Sequence, residues 1–179
     1  MSVTVGFISL GCSKNLVDSQ VMAGFLKAGH IALAPSPEAA DVILVNTCSF
    51  IEAAREEAAE AILSACAHKA GGGCRAVVVT GCLVQRYRER LRKAFPDVDA
   101  FLGIDELERI AGVVEKVAGG KRCGVVAEAG DASKVYSPPY PTLLFTGGPF
   151  AYLKIADGCD HRCAYCAIPN IREIGRAHV

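Results

Sequence analysis

Nine cysteines stand in a chain of 179 residues, and their spacing sorts six of them into two constellations capable of metal chemistry. The first is continuous: Cys159-Asp160-His161-Arg162-Cys163-Ala164-Tyr165-Cys166, a C-x-x-x-C-x-x-C run. Thiolates are the ligands of iron–sulfur clusters, and a compact loop can bring three of them to three corners of a cubane. One iron then stays open, as catalytic zinc sites keep one position open, which suits binding and reducing a substrate rather than only relaying electrons. The bland alternative is a structural Cys3His zinc site that recruits His161, against which ligand softness and spacing argue.

The second constellation is dispersed but regular. Cys12 sits in Leu10-Gly11-Cys12, Cys48 in Asn46-Thr47-Cys48 and Cys82 in Thr80-Gly81-Cys82, each directly after an apolar run of strand type. Parallel strands share one carboxyl edge, where open α/β sheets bind ligands, so the three thiols can converge there. Each cysteine also precedes a helical segment, whose N–H groups and dipole favour a cluster of net negative charge. Gly11 and Gly81 either let the backbone come close or serve as plain turn glycines. The competing reading is three thiols buried near strand ends with no ligand role, since cysteine is often simply buried. Cys66 shares a helical face with Ile62 and reads as core, while Cys74 and Cys123 have no partners at ligand spacing; none of these three is assigned a role.

The elements that must position these cysteines follow from periodicity. Strands are expected at Val3 to Ser9, Asp41 to Asn46, Ala76 to Thr80 and Ala100 to Gly103, with weaker candidates at His30 to Ala34 and Gly124 to Ala127. Helices are expected from Leu16 to Ala28, with Val21, Met22, Phe25 and Leu26 on one face and Gly29 as the cap, and from Ser49 to about His68. Ser49 and Glu52 form an S-x-x-E capping box for the second of these. Further helices are expected from Val84 to Phe95, ended by Pro96, and from Leu107 to Ala118. Short strands alternating with helices imply an α/β, Rossmann-like domain with a mainly parallel sheet over residues 1–136. The Pro- and Gly-rich residues 137–149 read as a linker. Residues 150–179 begin a second domain with a strand at Tyr152-Leu153-Lys154-Ile155 that is not completed here, since a β/α barrel needs about 250 residues.

Composition narrows the function classes. Lysine plus arginine equals aspartate plus glutamate at 19 each, so the basic footprint of a nucleic-acid binder is missing. No apolar run approaches the roughly 20 residues of a membrane span, and no basic stretch precedes the apolar run at the start, so the cytoplasm is the expected location and no membrane partner is expected. In a reducing cytoplasm nine cysteines point to metal or redox chemistry rather than a disulfide framework.

Four motifs together, Gly11-Cys12-Ser13-Lys14-Asn15-Leu16-Val17-Asp18-Ser19, Val45-Asn46-Thr47-Cys48-Ser49-Phe50-Ile51, Thr80-Gly81-Cys82 and the Cys159 to Cys166 loop, resemble the radical S-adenosylmethionine methylthiotransferase family. The resemblance covers the amino-terminal domain and the first strand and cluster loop of the radical domain. It implies two [4Fe-4S] clusters, one on Cys12, Cys48 and Cys82 that presents sulfur, and one on Cys159, Cys163 and Cys166 that binds S-adenosylmethionine and generates a 5′-deoxyadenosyl radical. The Gly11 to Ser19 stretch, and Phe50 after Cys48, are similar to the branch that methylthiolates the β-carbon of an aspartate in ribosomal protein uS12. The alternative is the branch acting on tRNA adenosine, and, from another class, a non-catalytic iron–sulfur electron-transfer or scaffold protein. A reductant of the flavodoxin or ferredoxin kind is the implied electron partner. After Ile168-Pro169-Asn170-Ile171-Arg172 the family pattern implies an Arg-Gly element and a later Ser-Arg, whereas Glu173 to Val179 reads differently. A chain without the rest of the barrel is expected not to turn over alone.

Overall fold

In a computed structural model, which describes residues 3–126, 140–145, 149–172 and 175–176, the first two-thirds of the chain form a doubly wound α/β layer structure. The strands are β1 (Thr4–Ser9), β2 (Ala32–Leu33), β3 (Val42–Thr47), β4 (Ala76–Gly81), β5 (Ala100–Leu102) and β6 (Gly124–Val126). They make one sheet in the order β2-β1-β3-β4-β5-β6, with every pairing parallel. This is the flavodoxin-type order, in which the chain reverses its direction of travel between β1 and β3. The two weak strand candidates are thus real strands, one at each edge.

β3 and β4 are buried at every position, as their unbroken Val-Ile-Leu-Val and Ala-Val-Val-Val runs require when both faces are covered. Alternate residues feed two cores. Val42, Leu44 and Val78 pack with Met22 and Leu26 of α1 (Ser13–Ala28) and with Ile110 and Val114 of α5 (Ile110–Ala118). Ile43, Val45, Val77 and Val79 pack on the other side with Ala58 and Ile62 of α2 (Glu52–Ala70), Leu83 of α3 (Cys82–Tyr87) and Leu91 of α4 (Glu89–Ala94).

Several local expectations are corrected. The capping box does not form: Ile51 occupies the N-cap position of α2 without a side-chain cap, because the Ser49 hydroxyl instead donates to the Cys82 carbonyl at 3.2 Å. A tertiary acceptor has outcompeted the local one. The expected Val84 to Phe95 helix is two short helices broken at Arg88, whose φ of 43° leaves the helical region. The Leu107 to Ala118 segment enters through a 3₁₀ turn at Ile104–Arg109 before becoming α-helical. Gly29 does cap α1 as expected, with the left-handed conformation at the following residue, His30 (φ 59°). The Ile31 N–H reaches back to the Leu26 carbonyl at 2.9 Å and the His30 N–H to the Lys27 carbonyl at 3.1 Å, a Schellman-type closure.

Residues 152–155 are not a strand. No described strand lies beside them to complete their backbone hydrogen bonds, and Leu153 is 85% exposed. The strand pairing lies just beyond, where β7 (Ala156–Asp157) pairs antiparallel with β8 (Gly175–Arg176). The barrel strand expected here therefore does not form. Of the expected linker, residues 137–139 and 146–148 lie outside the described residues, as does most of the divergent tail. Residues 140–145 lie along α1: the Leu143 N–H donates to the Gln20 carbonyl at 2.9 Å, and Tyr140 and Phe145 pack edge-on against Phe25 and Phe7.

Asp41 ties the entry of β3 to the entry of β1. Its Oδ2 accepts from the Thr4 N–H at 3.0 Å and the Thr4 hydroxyl at 2.9 Å, and Arg75 lies 3.1 Å from Oδ1. The Thr4 backbone bond, with the hydroxyl and Arg75, holds this carboxyl below its ordinary range against the opposing effect of burial. A carboxylate depressed on folding gives stability that is complete above its unfolded value, about 3.9, and is lost as pH falls through the lower folded value. The chain should accordingly melt above an Asp41→Asn variant at neutral pH, with the two melting temperatures converging on acidification. A gap that stays constant with pH would show that the charge contributes nothing.

Candidate functional site

The carboxyl ends of β1, β3 and β4 deliver three turns to one edge of the sheet, at the β1/β3 reversal point. Ser9, Asn46 and Thr80 stand in register across the three strands. Cys12 follows β1 as the N-cap residue of α1, with its carbonyl accepting from the Leu16 N–H at 3.1 Å. Cys48 follows β3 directly and is buried, and Cys82 opens α3 directly after β4 and is also buried. Cys12 is exposed. Only two of the three cysteines abut a helix, because α2 begins at Glu52, beyond Cys48.

Two glycines allow the turns to close on one another. Gly11, at φ +94°, lies so near Cys48 that a Cβ there would sit 2.7 Å from the Cys48 Cβ and 3.2 Å from its sulfur. The Cys12 and Cys48 turns are therefore in direct contact. Gly81, at φ 99° and ψ −165°, occupies a region that only glycine populates freely. A Cβ at Gly81 would collide with the Thr47 backbone and stand 2.5 Å from Asn46 Oδ1. We expect Gly81→Ala to cost at least about 1–3 kcal/mol from backbone strain alone, with further loss from the displaced β3 end, measured by denaturant unfolding. A cost below that range would show that the turn relaxes freely.

Asn15 stitches the edge together from inside. Its Nδ2 donates to the Leu10 carbonyl at 3.1 Å and to the Thr47 carbonyl at 2.9 Å, joining the residues just before Cys12 and Cys48. Its Oδ1 accepts from the Cys82 thiol at 3.6 Å. Asn46 returns the link, donating from Nδ2 to the Asn15 carbonyl at 2.8 Å and to Ser19 Oγ at 2.9 Å. Thr47 Oγ1 donates to the Thr80 carbonyl at 2.5 Å. All three sequence-predicted turns thus hang on one buried asparagine.

The Cys159 to Cys166 loop follows β7. Cys163 is exposed and Cys159 and Cys166 are half-buried, with the Cys166 N–H donating to the Cys163 carbonyl at 3.0 Å. Arg162, Cys163, Ala164, Cys166, Pro169 and Asn170 line a cleft of about 310 Å³. Tyr165 projects outward at 93% exposure, and His161 is exposed as well.

Between the two cysteine sets lies an ion-pair network that the sequence reading did not anticipate. The Arg172 side chain is 2% exposed and donates from Nη2 to Asp18 Oδ2 at 2.6 Å and to Asn15 Oδ1 at 3.1 Å. Its Nη1 meets Asp157 Oδ2 at 2.9 Å, and its Nε donates to the Cys82 sulfur at 3.3 Å. Lys154 Nζ bridges Asp18 at 2.9 Å and Asp157 at 2.6 Å, and Lys14 lies 3.6 Å from Asp157. Burial opposes the Arg172 cation, but Asp18, Cys82 and Asp157 outweigh it and hold the guanidinium above its ordinary value. Burial pushes the Cys82 thiol up, with Arg172 pulling the other way. The available signal was the helical spacing of Asn15, Asp18, Ser19 and Met22, a buried stripe whose first turn is polar rather than apolar.

Among the described residues no three of histidine, cysteine, aspartate or glutamate stand close enough to share one metal ion. A single zinc draws its thiolates to about 2.3 Å from one centre, whereas an iron–sulfur cubane seats each thiolate on a different iron. The all-thiol donors of Cys12, Cys48 and Cys82, on turns in contact and with two of them buried, fit a cluster of that kind in donor chemistry. Cys66 and Cys74, whose thiols burial pushes up, pack with the α2 core.

Comparison with known proteins adds a family. The family model described as "Uncharacterized protein family UPF0004" matches residues 4–103. The chain is 46% identical over 170 residues to the ribosomal protein uS12 methylthiotransferase RimO of Symbiobacterium thermophilum, covering 95% of this chain and 34% of that protein. It is 44% identical over 169 residues to the protein of the same name from Desulforamulus reducens, covering 94% and 38%. It is likewise 44% identical over 170 residues to that from Caldicellulosiruptor saccharolyticus, covering 95% and 38%. The chain therefore spans little more than a third of the length of these curated relatives.

Proposed function

Because the chain belongs to the Uncharacterized protein family UPF0004 and resembles uS12 methylthiotransferases over nearly its whole length, we propose that it is the amino-terminal part of an enzyme adding a methylthio group to the β-carbon of an aspartate in ribosomal protein uS12. Cys12, Cys48 and Cys82 would hold one [4Fe-4S] cluster, and Cys159, Cys163 and Cys166 a second that takes S-adenosylmethionine. When bound, such clusters supply sulfur for transfer and the electron that cleaves the sulfonium. The observation that carries this reading is the joining of all three cysteine turns at the sheet edge by Asn15.

The chain's own residues set up the rest of the site. The strand ends fix the directions of the three thiols, and Asn15 and Asn46 lock the strands' relative positions, so a group bound there meets a rigid base. Thiolate ligands leave open coordination positions on a cluster with only three protein donors. The cleft beside Cys163 and Cys166, bounded by Arg162 and Asn170, offers a cation and an amide for a polar ligand at the second loop. No helix among the described residues is long and apolar enough to cross a membrane, and cytoplasmic work on a ribosomal protein is part of the proposal, as is reduction by a flavodoxin- or ferredoxin-like donor.

Anaerobic reconstitution with ferrous iron and sulfide tests the cluster assignment. Iron and acid-labile sulfide should load in equal amounts, and alanine at Cys12, Cys48 and Cys82 should remove about half of each. Stoichiometric zinc in place of iron would reject the reading. In a protein of the relatives' full length, product analysis on uS12 and on a tRNA anticodon stem-loop in parallel decides the substrate, and modification of the RNA alone would overturn the uS12 assignment.

A further inference from the structure

Arg172 is the one guanidinium in the described structure that touches a cysteine of the sheet edge. It arrives from the second segment, 90 residues beyond Cys82, and its side chain is 2% exposed. Each of its nitrogens is engaged: Nε on Cys82 Sγ, Nη1 on Asp157, and Nη2 on Asn15 Oδ1 and Asp18. The rigid fork makes these four contacts at once; lysine would keep the positive charge at this position but not the full set of contacts. Asp18 is shared with Lys154, and Asp157 with Lys154 and Lys14. The buried Asp18, the half-buried Asp157 and the surrounding cations thus fix one positive charge against one sulfur.

We propose that Arg172 is a positioning residue for the Cys12, Cys48 and Cys82 edge: it donates a charge-assisted hydrogen bond to the Cys82 sulfur and, through Asp18 and Asp157, holds the segment that carries the second cysteine loop against that edge. The inference rests on the proposed cluster role of the edge cysteines. Reduction potentials of thiolate-bound clusters depend on net charge and on hydrogen bonds to the sulfurs. A fixed cation bonded to one ligand sulfur in a buried site stabilises the more negative, reduced state. Arg172 should therefore raise the potential of a group bound at this edge, and the same bonds should set the spacing between the two cysteine sets.

The test uses the whole chain with Cys159, Cys163 and Cys166 changed to alanine, so that only the edge can load, reconstituted anaerobically with ferrous iron and sulfide. The midpoint potential is followed by electron paramagnetic resonance. R172Q should move it to a more negative value, and R172K, which keeps the charge, should recover most of that shift. Because R172Q removes one of the cations paired with the buried Asp18 carboxylate, leaving Lys154, and could prevent folding, D18N/R172Q serves as the companion, with a smaller shift expected in the same direction. Unchanged potentials across the series, or R172K moving as far as R172Q, would overturn the inference while leaving the cluster assignment intact. Failure of the parent chain to load iron would instead overturn the cluster assignment, and this inference with it.

Discussion

Replacing Cys159, Cys163 and Cys166 together with alanine, in a protein extended to the relatives' full length, is expected to abolish reductive cleavage of S-adenosylmethionine. In the proposed assignment these thiols are the loop's ligands to the group that delivers the electron, so the triple variant would no longer hold it. The matching replacement of Cys12, Cys48 and Cys82 should remove a comparable amount of iron, leave 5′-deoxyadenosine formation detectable, and eliminate methylthio transfer to uS12. The asymmetry follows from the proposed roles, radical generation at the continuous loop and sulfur presentation at the sheet edge. One set is a continuous loop beside a 310 Å³ cleft; the other is spread over three strand ends tied by Asn15. Chromatography of the nucleoside product reads the first outcome and mass spectrometry of uS12 the second. Loss of deoxyadenosine in the dispersed variant alone would mean the two roles are exchanged.

Asn15→Ala is expected to be the most damaging single substitution outside the cysteines. It deletes two buried donors that join Leu10 to Thr47, leaving the Thr47 carbonyl without that partner, and it removes the acceptor that Cys82 and Arg172 share. Each buried polar group left unsatisfied costs about 1–3 kcal/mol, so a total of about 2–5 kcal/mol is expected. For a domain of this size each kcal/mol lowers the melting temperature by roughly 2–4 °C. Because the lost bonds lie at the sheet edge, iron retention after reconstitution should fall more steeply than stability does. A variant that is destabilised yet keeps its full iron would show that Asn15 supports the fold without shaping the site.

Much of this molecule is legible in one dimension because its determinants are local. The unbroken apolar runs at Val42–Thr47 and Ala76–Gly81 can only be strands covered on both faces, and alternation with helical segments makes a parallel sheet the economical solution. Once the sheet is parallel, cysteines placed directly after three strands must emerge at the same edge. That deduction needs no coordinates. The same reasoning fails where a residue has two partners to choose between. Ser49 carries the local signature of a helix cap, yet a carbonyl 33 residues away takes its hydroxyl; the 3₁₀ entry to α5 and the break at Arg88 are likewise settled by packing.

The strand order, the reversal point between β1 and β3, and the Arg172 network are decided by the tertiary structure alone. Nothing in the spacing of Asp18, Lys154, Asp157 and Arg172 announces that they meet, because ion pairs across more than a hundred residues leave no periodic trace in the sequence. A charged residue also reads as solvated until burial is known. Asp18 and Arg172 are nearly inaccessible here, a state that buried charges tolerate only when paired and hydrogen-bonded. The sequence by itself thus determined that three thiols emerge at one edge of the sheet, since residue type and strand polarity are properties of the chain's order. Only the fold decided how those thiols are held and what charge faces them, since both depend on contacts between segments far apart in the chain.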